Sequence, residues 1–225
     1  MKIQVVYQNS KSFSYLLRQV GDCPSKLYCL GNLELLKEKK ILAVVGSRNI
    51  SEYGRIIVKE AVPELVGAGI IIASGMALGV DAEAQKVCIE NSGKTIAVLA
   101  SGVDVASPMS NKWLYEMILK NNGLIISEYT NGTLPTPENF LARNRIISGL
   151  AKGVMVIEGS SRSGTLVTAR LAAEQGREVW AVPGRINDAN SAAPNYLIKN
   201  GANIFLGAEE IIQNLTGDDN IDDNG

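Results

Sequence analysis

The 225-residue chain contains no histidine. That absence removes Ser-His-Asp and Cys-His nucleophilic catalysis, histidine-ligated zinc and histidine general bases in one step. Cysteine is scarce as well. Cys23, Cys29 and Cys88 match no metal-knuckle spacing, and an odd number of thiols does not describe a disulfide scaffold. They read as reduced thiols, with Cys88 a small core residue. Long apolar runs are also missing: "GIIIAS" at 69–74 is strand-sized, far short of the roughly 20 residues a bilayer requires. The N-terminal "MKIQVVYQNSKSFSY" lacks an apolar run followed by a small-residue cleavage site. A cytoplasmic protein without membrane contact is expected, with no metal and no cofactor.

An excess of one charge sign is lacking too, because 22 basic side chains face 23 acidic ones. The balance is uneven along the chain, however. Residues 207–225 hold Glu209, Glu210, Asp218, Asp219, Asp222 and Asp223 and no Lys or Arg, which leaves 22 basic against 17 acidic side chains in the first 206 residues. A mildly basic body permits an anionic partner without requiring one.

What is present is an alternation. The apolar runs "ILAVV" (41–45), "IIIAS" (70–74), "TIAVLA" (95–100), "LIISE" (124–128), "VMVIE" (154–158) and "EVWAV" (178–182) have the composition of strands buried on both faces. Stretches of helical spacing fill the gaps, at about 51–68, 80–91, 110–121, 139–151 and 164–175. The pattern predicts an α/β, Rossmann-like fold, a mostly parallel sheet with helices on both faces. The expected division is an N-terminal extension (1–40), a core (41–206), and a terminal helix with an acidic disordered tail (207–225). Within the extension, "GDCPSKLYCLGNLELLKEKK" reads as a turn, a short helix and a basic approach to the core.

In such folds ligands bind beyond the strand carboxyl ends, and the glycines gather there. Gly46, Gly75, Gly102 and Gly159 each follow a strand, with Arg48 and Arg162 inside two of those loops. The loop "SRSGTLVTAR" (161–170) opens a helix with small hydroxylated residues and glycine, an arrangement that can hold an anion against the helix dipole. The same residues serve as an ordinary N-cap, so the stretch alone leaves both readings open. Neither G-x-G-x-x-G nor G-x-x-x-x-G-K-[ST] occurs, which argues against dinucleotide hydride transfer and P-loop phosphoryl transfer.

Taken in order, "VVGSRNISEYG", "ASGMALGVDAEAQ", "GKTIAVLASGVD", "LARNRIISGLAKGVMVIEG", "SRSGTLVTARLAAEQGREVWAVPG" and "NYLIKNGA" closely resemble the DprA/Smf family of bacterial DNA-processing proteins, from about residue 24 to 206. The resemblance implies a Rossmann-like core that binds single-stranded DNA, forms a homodimer through residues 195–215, and loads RecA recombinase onto incoming or exposed strands, as in natural transformation. Two positions depart from the family pattern: Gln85 where a histidine is usual, and Ser107 where a tyrosine precedes the proline. The resemblance also implies that the chain is short at both ends, without room for the N-terminal helical domain or the winged-helix domain many members carry. Related nucleotide hydrolases carry PGGxGTxxE; here Gly164 and Thr165 keep the cradle, and Thr168 stands where the glutamate would fall. A non-enzymatic binder is therefore expected, with a nucleoside monophosphate hydrolase-like enzyme or sensor as the alternative.

The expected DNA contacts are Gly46, Ser47, Arg48, Ser74, Gly75, Met76, Lys112, Phe140, Arg143, Asn144, Arg145, Arg162, Ser163, Gly164 and Thr165. Arg48 leads for phosphate and Phe140 for base stacking, although a core phenylalanine fits the sequence equally well. Arg143 and Arg145 are two positions apart and diverge by about 200° on a helix. One of them at most faces the ligand, and the other is expected to pair with Glu128 or Glu158. Asp81 reads as a helix-capping or loop-fixing carboxylate rather than a catalyst.

Overall fold

The computed structural model describes residues 2–217. Nine strands form one sheet: β1 (Gln4–Tyr7), β2 (Lys26–Gly31), β3 (Ile41–Val45), β4 (Ile71–Ser74), β5 (Thr95–Val98), β6 (Leu124–Ser127), β7 (Gly153–Val156), β8 (Glu178–Ala181) and β9 (Asn203–Ile204). Their spatial order is β1-β2-β6-β5-β4-β3-β7-β8-β9. From β6 to β9 every pairing is parallel, while β1 and β2 are antiparallel additions at one edge.

β3 shows why the sheet sits at the centre. Ile41, Ala43 and Val45 join one apolar cluster, and Leu42 and Val44 join the other, because successive side chains point to opposite faces. Helices α1 (Tyr15–Arg18), α5 (Pro137–Leu150), α6 (Gly164–Glu174) and α7 (Ala192–Lys199) cover the first face. Helices α2 (Glu52–Gly67), α3 (Val80–Glu90), α4 (Lys112–Lys120) and α8 (Ala208–Thr216) cover the second. Start signals in the sequence set the helix ends: the Ser51 hydroxyl accepts from the Gly54 amide, and Thr136 caps α5 ahead of Pro137.

The first forty residues differ from expectation. Instead of a turn and a short helix, residues 26–31 form a strand that pairs with β6, followed by a single 3-10 turn at Leu33–Leu36. Leu27 and Cys29 are buried in the cluster of the first face and Leu30 packs on the opposite side, so a period-two pattern underlies "KLYCL". Flanking turn residues and its brevity hide that pattern.

The terminal unit departs as well. Phe205, Ile211 and Leu215 pack into the core of the same chain, and of the large apolar side chains at 195–215 Tyr196, Ile204 and Leu206 are exposed. The exposed apolar surface through which the resemblance implies a homodimer is therefore confined to these three side chains. Residues 218–225, and with them the expected disordered tail, lie outside the described residues. Among the described residues no helix is long and apolar enough to cross a membrane.

Strand order reverses direction at β3: the chain runs outward through β4, β5 and β6 on one side, then returns to β7 on the other. The loops leaving β3 and β7 diverge there and open a crevice at the carboxyl edge, where an open α/β sheet takes its ligand.

Candidate nucleic-acid interface

The crevice is a cleft of about 750 Å³. Gly46, Ser47, Arg48 and Asn49 from the β3 loop form one wall, and Ser160, Ser163, Gly164 and Thr165 from the β7 loop and the first turn of α6 form another. α5 lays Pro137, Phe140, Leu141 and Asn144 along it, a spacing of three, four and seven that puts these residues on one helical face. Asn190 ties the two strand loops together. Its carbonyl accepts from the Gly159 amide at 2.7 Å, and its side-chain amide donates to the Asn49 carbonyl at 3.4 Å.

Two cations converge on one aromatic ring. The Arg48 guanidinium lies 5.1 Å from the Phe140 centroid and that of Arg143 lies 5.9 Å away. Their environments differ. Arg48 is exposed at the cleft wall, whereas Arg143 is only 4 % exposed and donates to the carbonyls of Gly75, at 2.8 Å, and Val98. Burial pushes the Arg143 pKa down to about 10; the buried Asp81 carboxylate opposes that fall and the Arg48 charge adds to it. Burial likewise raises the Asp81 pKa, against the pull of Arg143 and of the Gly75 and Ala77 amides. Asp81 accepts from the Gly75 N–H at 3.1 Å, the loop-fixing role its position suggests.

Gly75 is required by close approach, since a Cβ there would fall 2.3 Å from the Arg143 guanidinium. Gly79 has φ +78, and a Cβ there would meet the Ser47 carbonyl oxygen at 2.2 Å. Gly79 thus lets the β4 loop brace the β3 loop from behind, while Gly75 makes room for Arg143 of α5.

At the start of α6, the Ser163 side chain makes no capping bond, and its buried hydroxyl has no hydrogen-bond partner among the described residues. The first turn of this helix offers amides and the positive end of a dipole to the cleft. Thr168 donates its hydroxyl to the Gly164 carbonyl at 3.3 Å.

Gly46, Ser47, Arg48, Phe140, Arg143, Asn144, Ser163, Gly164 and Thr165 thus meet in one cleft, and six other expected contacts lie outside its lining. Ser74 donates to the Val44 carbonyl at 2.6 Å, the Gly75 amide is held by Asp81, and Met76 is fully buried with φ 54. These three build the floor's support instead of the floor. Lys112 pairs with Glu116 on α4, and Arg162 is exposed beyond the lining residues. Arg145 turns away to form two hydrogen bonds with Glu128, at 2.8 and 2.7 Å, and an ion pair with Asp22 at 3.0 Å. Of the two carboxylates proposed for that arginine, Glu128 is the partner. Glu158 accepts from the Ser51 amide at 2.9 Å and from its hydroxyl, pinning the start of α2 to the exit of β7. Sequence reasoning missed Asn190, whose only signal is its place before α7, and the apolar lip formed by Pro135, Pro137 and Leu141.

The family model for DNA recombination-mediator protein A matches residues 4–216. The DNA processing protein DprA of Streptococcus pneumoniae is 41% identical over 213 residues, which cover 92% of this chain and 74% of that protein. The protein Smf of Escherichia coli is 44% identical over 207 residues, covering 92% of this chain and 55% of its own length. Among solved structures, DNA processing protein A of Helicobacter pylori, described for that protein's single-stranded DNA binding mode, superimposes with a TM-score of 0.86 at 30% identity. That match covers 97% of each chain.

Proposed function

The chain belongs to the DNA recombination-mediator protein A family of DNA-processing proteins, and on that footing we propose that its switch-point cleft holds the backbone of single-stranded DNA without cutting it. The observation that carries the reading is the convergence of Arg48, Phe140 and the first turn of α6 on one crevice. A strand binder needs positive charge and amides for phosphates together with an aromatic face for a base, and all three occur within this cleft. In the finer reading, the protein acts in the cytoplasm as a homodimer through its terminal unit, protects incoming or exposed strands and hands them to RecA recombinase. Three things support it: the Helicobacter pylori relative's described binding mode, the family's role in recombination, and the exposed Tyr196, Ile204 and Leu206.

Retention without cleavage follows from the side chains at the α6 turn. The residue one helical turn beyond Gly164 is Thr168, a hydroxyl bonded to its own helix; the carboxylate that lines the cleft, Asp81, is held by the Gly75 amide, and the buried Glu158 is engaged by Ser51. None of them is poised to move a proton on a sugar.

Titration with oligonucleotides of increasing length against a nucleoside monophosphate tests the proposal. Affinity should rise with strand length, exceed that for duplex, and fall with salt at a log-log slope of about −0.7 per phosphate neutralised. Equal affinity for a mononucleotide and a long strand would overturn it in favour of a nucleotide enzyme or sensor.

A further inference from the structure

A second groove lies behind the same loops. Ile50, Arg55, Gly79, Ala82, Glu83, Lys86 and Trp113 enclose about 370 Å³ between α2, α3 and the start of α4. It is continuous with the cleft along the backbone. Asn49 lines the cleft and Ile50 the groove; Ala77 lines the cleft and Gly79 the groove. The two loops touch where the Val80 amide donates to the Ser47 carbonyl at 3.0 Å. The Asn111 side chain, just before α4, donates to the Met76 carbonyl at 2.9 Å and fixes that helix to the same loop.

Trp113 is the unusual member. The chain has two tryptophans; Trp180 is buried at 1 % exposure, whereas Trp113 is 45 % exposed on the groove wall. Its neighbours Leu114 and Ile118 anchor α4 in the core, so the fold does not need the indole for packing. Two cations share the groove: Arg55 donates to Glu83 at 3.3 Å, and Lys86 makes a looser ion pair with Glu90 at 3.7 Å. The exposed Lys86–Glu90 pair contributes little and exchanges readily for a phosphate, while the Arg55 guanidinium, 41 % exposed, keeps donors free of its one bond to Glu83.

We infer that this groove is a second contact for the strand held in the cleft, with Trp113 stacking a base and Arg55 and Lys86 holding the phosphates beside it. The inference rests on the reading of the cleft as a single-strand site. An indole face with flanking cations is the chemistry that grips unpaired nucleotides irrespective of sequence. A strand leaving the cleft past Arg48 meets the groove on the far side of the same loop.

Because Trp180 is buried, the exposed Trp113 reports on the groove by its fluorescence. The test uses oligothymidylates of about 4 and about 20 nucleotides with the full chain, Trp113→Ala and Trp113→Phe. The long strand should quench the parent's fluorescence and the short one should not. Trp113→Ala should weaken long-strand binding by about tenfold to a hundredfold and leave the short strand unaffected, with Trp113→Phe recovering most of the loss. Long-strand binding by Trp113→Ala equal to the parent's, or unchanged fluorescence at saturation, would overturn the groove and leave the cleft standing. Failure of the parent to bind either strand would overturn the cleft reading and this inference with it.

Discussion

Replacing Arg48 and Arg143 separately by alanine should produce opposite phenotypes, although both guanidiniums approach the same ring. Arg48 is exposed, and its guanidinium lies over the Phe140 face, 5.1 Å from the centroid. Losing an exposed cation-π contact costs about 0.5–1 kcal/mol. In a chain of this size that moves the thermal midpoint by only ~1–4 °C. Loss of a charge-assisted phosphate contact costs about 1.5–3 kcal/mol, or roughly tenfold to 150-fold in strand affinity. Arg143 is buried, donates to two main-chain carbonyls and supplies the charge that offsets burial of Asp81. Its removal leaves the buried Asp81 carboxylate without that countercharge and the two carbonyls without their donor, which costs about 3–5 kcal/mol and lowers the midpoint by roughly 6–20 °C. Differential scanning calorimetry and fluorescence anisotropy on the same preparations read both quantities. A stable Arg48→Ala that binds like the parent would refute the cleft as the strand site. An Arg143→Ala of unchanged midpoint would refute the assignment of that residue to structural support.

Three further outcomes follow from particular side chains. Gly164 has open space where a Cβ would go, and it is the first residue of α6, so Gly164→Asp should fold with an unchanged or slightly higher midpoint. It should nonetheless bind strands more weakly than Arg48→Ala, because it sets a carboxylate where phosphate must sit; anisotropy checks this. Burial pushes the Cys29 and Cys88 thiols up from about 9 to about 12. The unfolded chain then releases those protons before the folded one does, so stability should fall as pH rises from about 9 toward 12, and a thiol reagent near pH 8 should reach Cys23 alone until the protein unfolds. If Tyr196, Ile204 and Leu206 form the dimer contact, light scattering should show Leu206→Asp as a monomer at concentrations where the parent is dimeric.

The sheet was legible because fully buried parallel strands read as uninterrupted apolar runs, and β3 to β8 each carry one. β1 and β2 were not: they are edge additions, and "QVVY" shows one buried residue in four. The cleft was legible where residue type and loop position coincide, as at Arg48 and Gly164. Ser74 to Met76 lie behind the cleft lining, which the sequence does not reveal because it shows which groups can donate but not which are already engaged. Gly75 follows a strand as a ligand-binding glycine would, yet its amide is held by Asp81 and its Cα hydrogens make room for Arg143. The Arg143 and Arg145 split was anticipated from helical angle alone, while the choice of Glu128 over Glu158 depended on Glu158 being engaged by Ser51.

The most direct test of the cleft as a strand site is a crystal structure of the chain with an oligothymidylate. The account predicts a phosphate within about 3 Å of the first-turn amides of α6, a second beside Arg48, and a base against Phe140. A strand bound elsewhere, with the crevice between the β3 and β7 loops left to solvent, would contradict it.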